Sequence, residues 1–532
     1  MRFDPSTHRT AARRTFAVPT IGFVSIFFAA FPCSSGEETP RWTPRDFAFA
    51  SRTAHENPFE VPFSAEVTRP DGRKFETLGF HDGGDEWKLR ISPDAEGAWT
   101  VTTRSGDPDL NERTLSFRCT PNSNPAVHGG LRSDAEHPHH FVHEDGARYF
   151  LMGYECDWLW ALGMEAGETD SVNGFLDRLA DAGFNHVILN AYAHDTSWKK
   201  GKTEPADYGP PPMYPWEGSN EDPDHGRFNL AYWKHYDKAM DAMFERGIVA
   251  HTMIKVYNKK VKWPKRGSEE DDRYFKWLIA RYAAYPNLVW DFSKEAHNEK
   301  DLEYKLSRFQ LLKDFDPYDR LLTNHDDDDA YDSAAYDALL DFRSDQQHKD
   351  WSNVILHQRA RRPWPIVNVE FGYEHGPGGP EDKTYRVVQS PEEVYRRAWE
   401  VCMAGGYPAY YYTNTAWDVI RPEEIPPGYG LFKNLRGFFE KTRYWELEPQ
   451  EGPIGGSRVL ANPGREYVVH LPASSSFSMV LPDGGSHYTG DWFDPMTGET
   501  IPTGEIGGGR RDFAPPEGWN DGQAVLHLKA DR

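Results

Sequence analysis

Two glutamates carry the chemistry most plainly. Glu295 lies in Asn287-Leu-Val-Trp-Asp-Phe-Ser-Lys-Glu295-Ala-His-Asn298, and Glu370 lies in Pro365-Ile-Val-Asn-Val-Glu370-Phe-Gly-Tyr-Glu374. Each closes an apolar run rich in β-branched or aromatic residues. The C-terminal mouth of a parallel strand is where barrel enzymes keep their reacting groups. Breaking a glycosidic bond needs one carboxylic acid to protonate the departing oxygen and one carboxylate to attack or to activate water. In the retaining form the two stand about 5–5.5 Å apart. Either glutamate alone is more simply read as a residue stabilising a helix N-terminus. Together, at the ends of the fourth and seventh strands of an alternating pattern, they fit an acid/base, Glu295, and a nucleophile, Glu370. Strands four and seven of an eight-stranded barrel face each other across its mouth.

The elements that must position this pair begin near residue 146. Apolar runs of four to eight residues there alternate with amphipathic helical stretches. The runs are Tyr149–Gly153, His186–Asn190, Ile248–Ile254, Leu288–Phe292, Leu321–Asn324, Leu339–Phe342, Ile366–Val369 and Ala409–Tyr412. Between them the spacing predicts helices over Gly174–Ala182, Tyr232–Arg246, Asp272–Tyr285, Leu302–Lys313 and Pro391–Ala404. Eight such units over 146–445 predict an α/β fold, a (β/α)8 TIM barrel. A doubly wound sheet is the alternative, and the absence of a Gly-rich phosphate loop speaks against it. Residues 41–120 read as an N-terminal β-sandwich, with short alternating strands separated by Pro-Asp-Gly and Asp-Gly-Gly turns. Residues 121–145 read as a connection. Residues 446–532 return to short strands and predict a C-terminal β-sandwich.

The formal net charge of −23 argues against a nucleic-acid backbone or an anionic bilayer as partner. The 18 Trp, 26 Tyr and 31 Phe suit both large cores and the stacking of sugar rings. Residues 1–35 read as a signal peptide. Arg9, Arg13 and Arg14 precede the apolar stretch Phe16–Phe31, and small residues follow at Ser34-Ser-Gly36. Secretion, or export to a periplasm, is therefore expected, with no membrane span in the mature chain. Pro32 makes lipid attachment at Cys33 a poor fit. Cys119, Cys156 and Cys402 are too few and too scattered to form a disulfide framework.

Other polar residues at predicted strand ends are candidates for binding sugar. They are Asp157 and Trp158 after strand one, Asn190 and His194 after strand two, and Lys294 beside Glu295. His325 follows strand five, Gln346 and His348 follow strand six, and Asn414 and Trp417 follow strand eight. Trp417 is either a stacking platform or a core residue. Tyr373 and Glu374 either position Glu370 or begin a loop. Neither metal nor cofactor is expected. In Glu136-His-Pro-His-His140 the proline breaks regular ligand geometry, and His325-Asp-Asp-Asp-Asp329 lacks the turn glycine of a helix–loop–helix calcium site. There is no Gly-x-Ser-x-Gly elbow.

Three ordered signatures carry a resemblance. They are Gly79-Phe-His-Asp-Gly-Gly-Asp-Glu-Trp87-Lys-Leu-Arg90, then Phe141-Val-His-Glu-Asp-Gly-Ala-Arg-Tyr-Phe150, then Trp492-Phe-Asp-Pro495-Met-Thr-Gly498. In these the chain resembles the apiosidase-like, cellulase-related retaining glycoside hydrolases. That architecture is an N-terminal β-domain of unknown function, a (β/α)8 barrel, and a C-terminal β-domain of the type labelled collagen-binding. The resemblance implies an acid/base at Glu295 and a nucleophile at Glu370. It departs at Lys294, where the wider clan has an asparagine that binds the sugar 2-hydroxyl, and at Glu295, where apiosidases carry aspartate in this region. Lys294 could donate to a hydroxyl or meet a substrate carboxylate or sulfate, and Glu299 and Asp291 are fallback acids. The function expected is cleavage of O-glycosidic bonds in a complex plant or algal-type polysaccharide or its oligosaccharides. A catalytically silent glycan-binding protein of the same fold is the alternative, and a collagen-directed factor has only the domain label behind it. Oligomeric state, exo or endo action, and the role of the long segment Ala193–Asn229 stay open.

Overall fold

The computed structural model describes residues 38–164, 170–193, 211–327, 334–346, 349–383, 387–416, 420–482, 487–519 and 522–531. Residues 1–35, read above as a signal peptide, therefore lie outside the described residues, Cys33 among them. Among the described residues no helix is long and apolar enough to cross a membrane.

The N-terminal region is two β-sheets packed face to face. One sheet orders Glu38–Pro40, Thr114–Thr120, Gly97–Ser105, Phe63–Thr68 and Lys74–Leu78; the other orders Arg45–Ala50, Glu86–Ile91 and Phe80–Gly83. Alternation decides which side faces in. Phe63, Ala65 and Val67 are buried while Ser64, Glu66 and Thr68 face outward. Phe47, Trp87, Leu89, Trp99 and Phe117 complete the core between the sheets.

The barrel is parallel and nearly closed. Its strands one to four are Gly153–Glu155, His186–Asn190, Val249–Val256 and Leu288–Lys294. Strand five comes in two pieces, Leu322–Thr323 and His325–Asp327, the first paired with strand four and the second with strand six. Strands six to eight are Arg343–Gln346, Ile366–Glu370 and Tyr407–Tyr411, and strand eight pairs back onto strand one. Helices cover the outside, so strands two, three, four and seven are buried along their whole length. Among the described residues the α-helices are Asp170–Asp181, Leu230–Glu245, Glu269–Tyr282, Leu302–Phe315, Ala334–Leu339, Trp351–Arg361, Pro391–Met403 and Gly428–Phe439. Ser268, Asp301 and Ser390 each cap a helix by accepting a backbone N–H of its first turn.

Two expected strands are displaced. Strand one is Gly153–Glu155, because Arg148–Tyr149 pair with Phe141–His143 instead, in a small sheet with Leu131–Ser133. The stretch read as a connection thus carries strands of its own. Phe141 packs on Phe342 and Tyr407 at the N-terminal ends of strands six and eight. Leu339–Phe342 is not strand six. Leu339 ends a helix, and the strand is Arg343–Gln346, in which Arg343 and Asp345 form a fully buried ion pair at 2.5 Å. A strand of polar residues leaves no apolar signature in the sequence.

The C-terminal region is a sheet of Glu448–Glu451, Arg458–Asn462, Glu466–Leu471, Ala524–Ala530, His487–Phe493 and Thr500–Pro502, with Ile506–Gly507 beside His487–Phe493. A two-stranded ribbon of Phe477–Leu481 and Gly509–Phe513 joins it in burying Val469, Trp492 and Leu526. It meets the barrel through Trp399, whose ring stacks on His470 at 5.2 Å. The N-terminal sandwich is joined to the barrel by charge. Arg281, 1% exposed, donates to Asp82 of the sandwich at 3.0 Å and to both oxygens of Asp237 at 2.9 and 2.6 Å. Arg90 donates back to the Arg281 carbonyl at 2.8 Å. Removing one partner of a buried ion pair leaves the other charge without compensation. Arg281→Ala is expected to destabilise the chain by about 3–5 kcal/mol, read as a large fall in the thermal unfolding midpoint at neutral pH. An unchanged midpoint would show that the sandwich does not depend on this contact.

Candidate active site

Strand four ends on Lys294, and the next residue, Glu295, takes a left-handed backbone with φ 51° and ψ 49°. That conformation costs a non-glycine residue on the order of 1 kcal/mol. It turns the chain from the strand into the helical turn Ala296–Asn298. The Glu295 carboxylate is gripped from the rim, by Asn258 Nδ2 at 2.6 Å and Asn298 Nδ2 at 3.0 Å. His297 Nε2 lies 3.9 Å away, and that ring's Nδ1 is 3.8 Å from Asp326. The Glu295 side chain keeps 20% of its surface exposed.

Glu370 is the last residue of strand seven and is buried. Its Oε1 accepts from Lys294 Nζ at 2.6 Å, and its Oε2 accepts from the Tyr373 hydroxyl. Lys294 reaches inward across the mouth and also meets Glu155 Oε1 of strand one and, at 3.3 Å, Asp157 Oδ1. An ammonium has three protons to donate, and here three carboxylates surround it. The Tyr411 ring lies 5.3 Å from the same nitrogen. Burial pushes the Glu155 carboxyl well above the usual range; Lys294 pulls it down, while Glu370 and Asp157 push it further up. Asp157 accepts from the Tyr411 hydroxyl and from Asn190 Nδ2 at 3.3 Å.

His325 completes the floor. Its Nε2 lies 3.2 Å from Gln346 Oε1 and 3.6 Å from Glu370 Oε1. Burial, then the Lys294 charge, pushes its imidazole down to about 3, so the ring is neutral near pH 7. Ligand atoms of Glu155, His325 and Glu370 lie within 4.8 Å of one another, close enough to hold a cation. The Lys294 ammonium contacts the two carboxylates of that trio and supplies positive charge there itself. The fold thus gathers Asp157, Asn190, Lys294, His325, Gln346 and Glu370 into one constellation, with Glu295 on the rim.

The remaining candidates sit elsewhere or serve the scaffold. Trp158 is 1% exposed and packs against Trp160, as a core residue does. Asn414 donates to Glu424 at 2.9 Å, and Tyr412 donates to the same carboxylate. Asp291 lies deeper in the barrel, bound to His251 at 2.9 Å and to the Ser293 and His325 N–H groups. Glu299 is tied to Arg266 at 2.9 Å and to the Asp301 N–H. His194, His348 and Trp417 lie outside the described residues. His139 and His140 of the histidine-rich stretch bond to the Trp364 carbonyl and the Tyr407 hydroxyl. Sequence reasoning missed Glu155, Tyr411 and Asn258. Glu155 had a signal, an acid inside the run Gly153-Tyr-Glu-Cys-Asp157, but the strand was placed too early to expose it.

With this geometry in place, the comparisons decide the family. The model of the apiosidase-like catalytic domain matches residues 135–448, more than half of the chain. The chain belongs to the apiosidase-like family. Residues 38–106 match a second model, a domain of unknown function, DUF5060. Among solved structures, a Bacteroides vulgatus protein classed provisionally as a glycoside hydrolase superposes with a TM-score of 0.77 at 20% identity, covering 93% of this chain and 100% of its own. A family 5 glycoside hydrolase from Bacteroides vulgatus gives 0.57 at 18% identity, over 76% of this chain and 94% of its own. At these identities the likeness is one of fold. No curated protein matches the chain. Family and fold together support glycan hydrolysis as the activity of this apiosidase-like protein.

One carboxyl near the site titrates where it can be measured. Glu374, just past strand seven, is buried, with Oε1 3.3 Å from the Gly428 N–H. Burial pushes it up to about 7, against the hydrogen bonds of Tyr410 and Gly428. A carboxyl raised on folding contributes stability below its unfolded value and loses it as pH rises through the folded one. Wild type is therefore expected to lose about 3 kcal/mol between pH 5 and 8 from this group. Glu374→Gln should flatten that slope in denaturant titrations run across the range. Parallel slopes for the two proteins would rule Glu374 out as the source.

Proposed function

We propose that this chain is a secreted retaining glycoside hydrolase acting on a complex plant or algal-type polysaccharide, with Glu370 as nucleophile and Glu295 as acid/base. The observation that carries the reading is the unequal setting of the two glutamates. A nucleophile is best served by an ionised carboxylate fixed in place and shielded from water. Glu370 fits, buried between an ammonium and a phenol. An acid/base must exchange its proton with solvent in every turnover. Glu295 fits, half-buried at the rim and hydrogen-bonded by two neutral amides.

In the first half of the reaction Glu370 attacks the anomeric carbon while Glu295 protonates the leaving oxygen. In the second, Glu295 takes a proton from water as that water displaces Glu370. Asn190, Gln346 and His325 ring the same floor and supply neutral hydrogen-bonding groups for sugar hydroxyls. The basic, apolar and small-residue leader supports export, which a polymer too large to enter a cell requires.

Glu370→Ala should reduce turnover of a responsive polysaccharide by several orders of magnitude while leaving the thermal unfolding curve cooperative. Glu295→Ala should lose activity on native linkages yet recover it toward aryl glycosides when azide is added. Proton NMR of the first-formed product should show the anomeric configuration of the substrate. Full activity in Glu370→Ala, or an inverted first product, would sink the assignment.

A further inference from the structure

The two oxygens of Glu370 are held unequally. Oε1 faces a cation at 2.6 Å and Oε2 faces the neutral Tyr373 hydroxyl. The cation is itself fixed from behind by Glu155 and Asp157, both fully buried, and is 1% exposed. Its charge is spent on carboxylates of this chain, so it is poorly placed to read a charge on substrate. Resting on the retaining reading above, we infer that Lys294 is a positioning residue for the second half of the reaction, speeding release of the sugar from Glu370.

Oε2 is the oxygen that attacks, since a neutral phenol withdraws less electron density from it than an ammonium would. The Oε2–carbon bond forms as the glycosidic carbon–oxygen bond breaks, and the departing oxygen takes the Glu295 proton. Oε1 becomes the carbonyl of the resulting ester and keeps its contact with Lys294. Water then bonds to the same carbon and gives its proton to Glu295, and the electron pair of the Oε2–carbon bond returns to Glu370. The charge that returns is shared with Oε1, beside a cation already in place, which lowers the barrier to release. In the first half the same cation stabilises the attacking carboxylate before reaction and slows attack. The lysine therefore shifts the balance between the two halves toward release, so that the ester does not accumulate. Glu155 assists. Burial, and then the neighbouring Glu370 and Asp157, raise its carboxyl, which weakens its competition for the ammonium.

The test uses Lys294→Met and a 4-nitrophenyl glycoside that wild type turns over, chosen from a panel of pentosides and hexosides. The expected result is a burst of nitrophenol equal to the enzyme present, followed by a kcat lower on the order of 100-fold. KM should fall in step, leaving kcat/KM within a few fold of wild type. A fall in kcat/KM with KM unchanged and no burst would overturn the inference, because the lysine would then serve binding, attack or folding. A substrate-free measurement guards against a misfolded variant. Glu370→Gln should lower the thermal midpoint in the wild-type background but raise it in Lys294→Met, where it removes a buried carboxylate that has lost its cation. Equal shifts in both backgrounds would break the link between the two residues. If wild type turns over no member of the panel while the thermal coupling holds, the glycosidase reading fails, and with it the role in release, while the ion pair stands.

Discussion

A single ammonium in a water-poor barrel mouth governs this site. Lys294 Nζ sits among Glu155, Asp157 and Glu370, all of them buried. Carboxylates brought this close in low dielectric repel strongly, and without a counter-charge they could not all remain ionised. The lysine resolves that conflict, and the chain is built to deliver it. Glu155 and Asp157 arrive from strand one, Glu370 from strand seven, and Tyr373 and Tyr411 donate to the carboxylate oxygens that the ammonium leaves. Burial keeps His325 neutral, and the same charge adds to it in disfavouring a second cation.

The architecture was legible in the sequence because it rests on alternation. Period-two runs in the flanking regions and apolar runs separated by amphipathic helices in the middle are direct imprints of burial. It failed where burial is polar. Strand six reads Arg-Ser-Asp-Gln, and its charges are neutralised inside the barrel instead of being replaced by apolar groups. Strand one is three residues long and ends on an acid, so its pattern was lost against Tyr149 and Phe150 just before it.

The site was legible in part for a related reason. Glu370 and Lys294 are the last residues of their strands, a position the sequence pattern locates well. What lies across the mouth from them is not local information. Nothing near Lys294 in sequence indicates that Glu155, which is 139 positions away, is its partner. An unusual lysine beside a catalytic candidate suggests a contact with substrate when viewed alone. The structure turns its ammonium onto the chain's own carboxylates, because strands one, four and seven converge there.

The junction at Arg281 has a consequence for how such a protein can be inherited. Its guanidinium is buried between an aspartate of the sandwich and an aspartate of the barrel, so its hydrogen bonding is complete only when both domains are present. A recombination event that replaced the sandwich with one lacking an acid at that place would leave one side of a buried guanidinium without its acceptor, with Asp237 alone to pair it. Exchange of the sandwich alone therefore carries a penalty, and a barrel of this kind can change its substrate loops more freely than its neighbour.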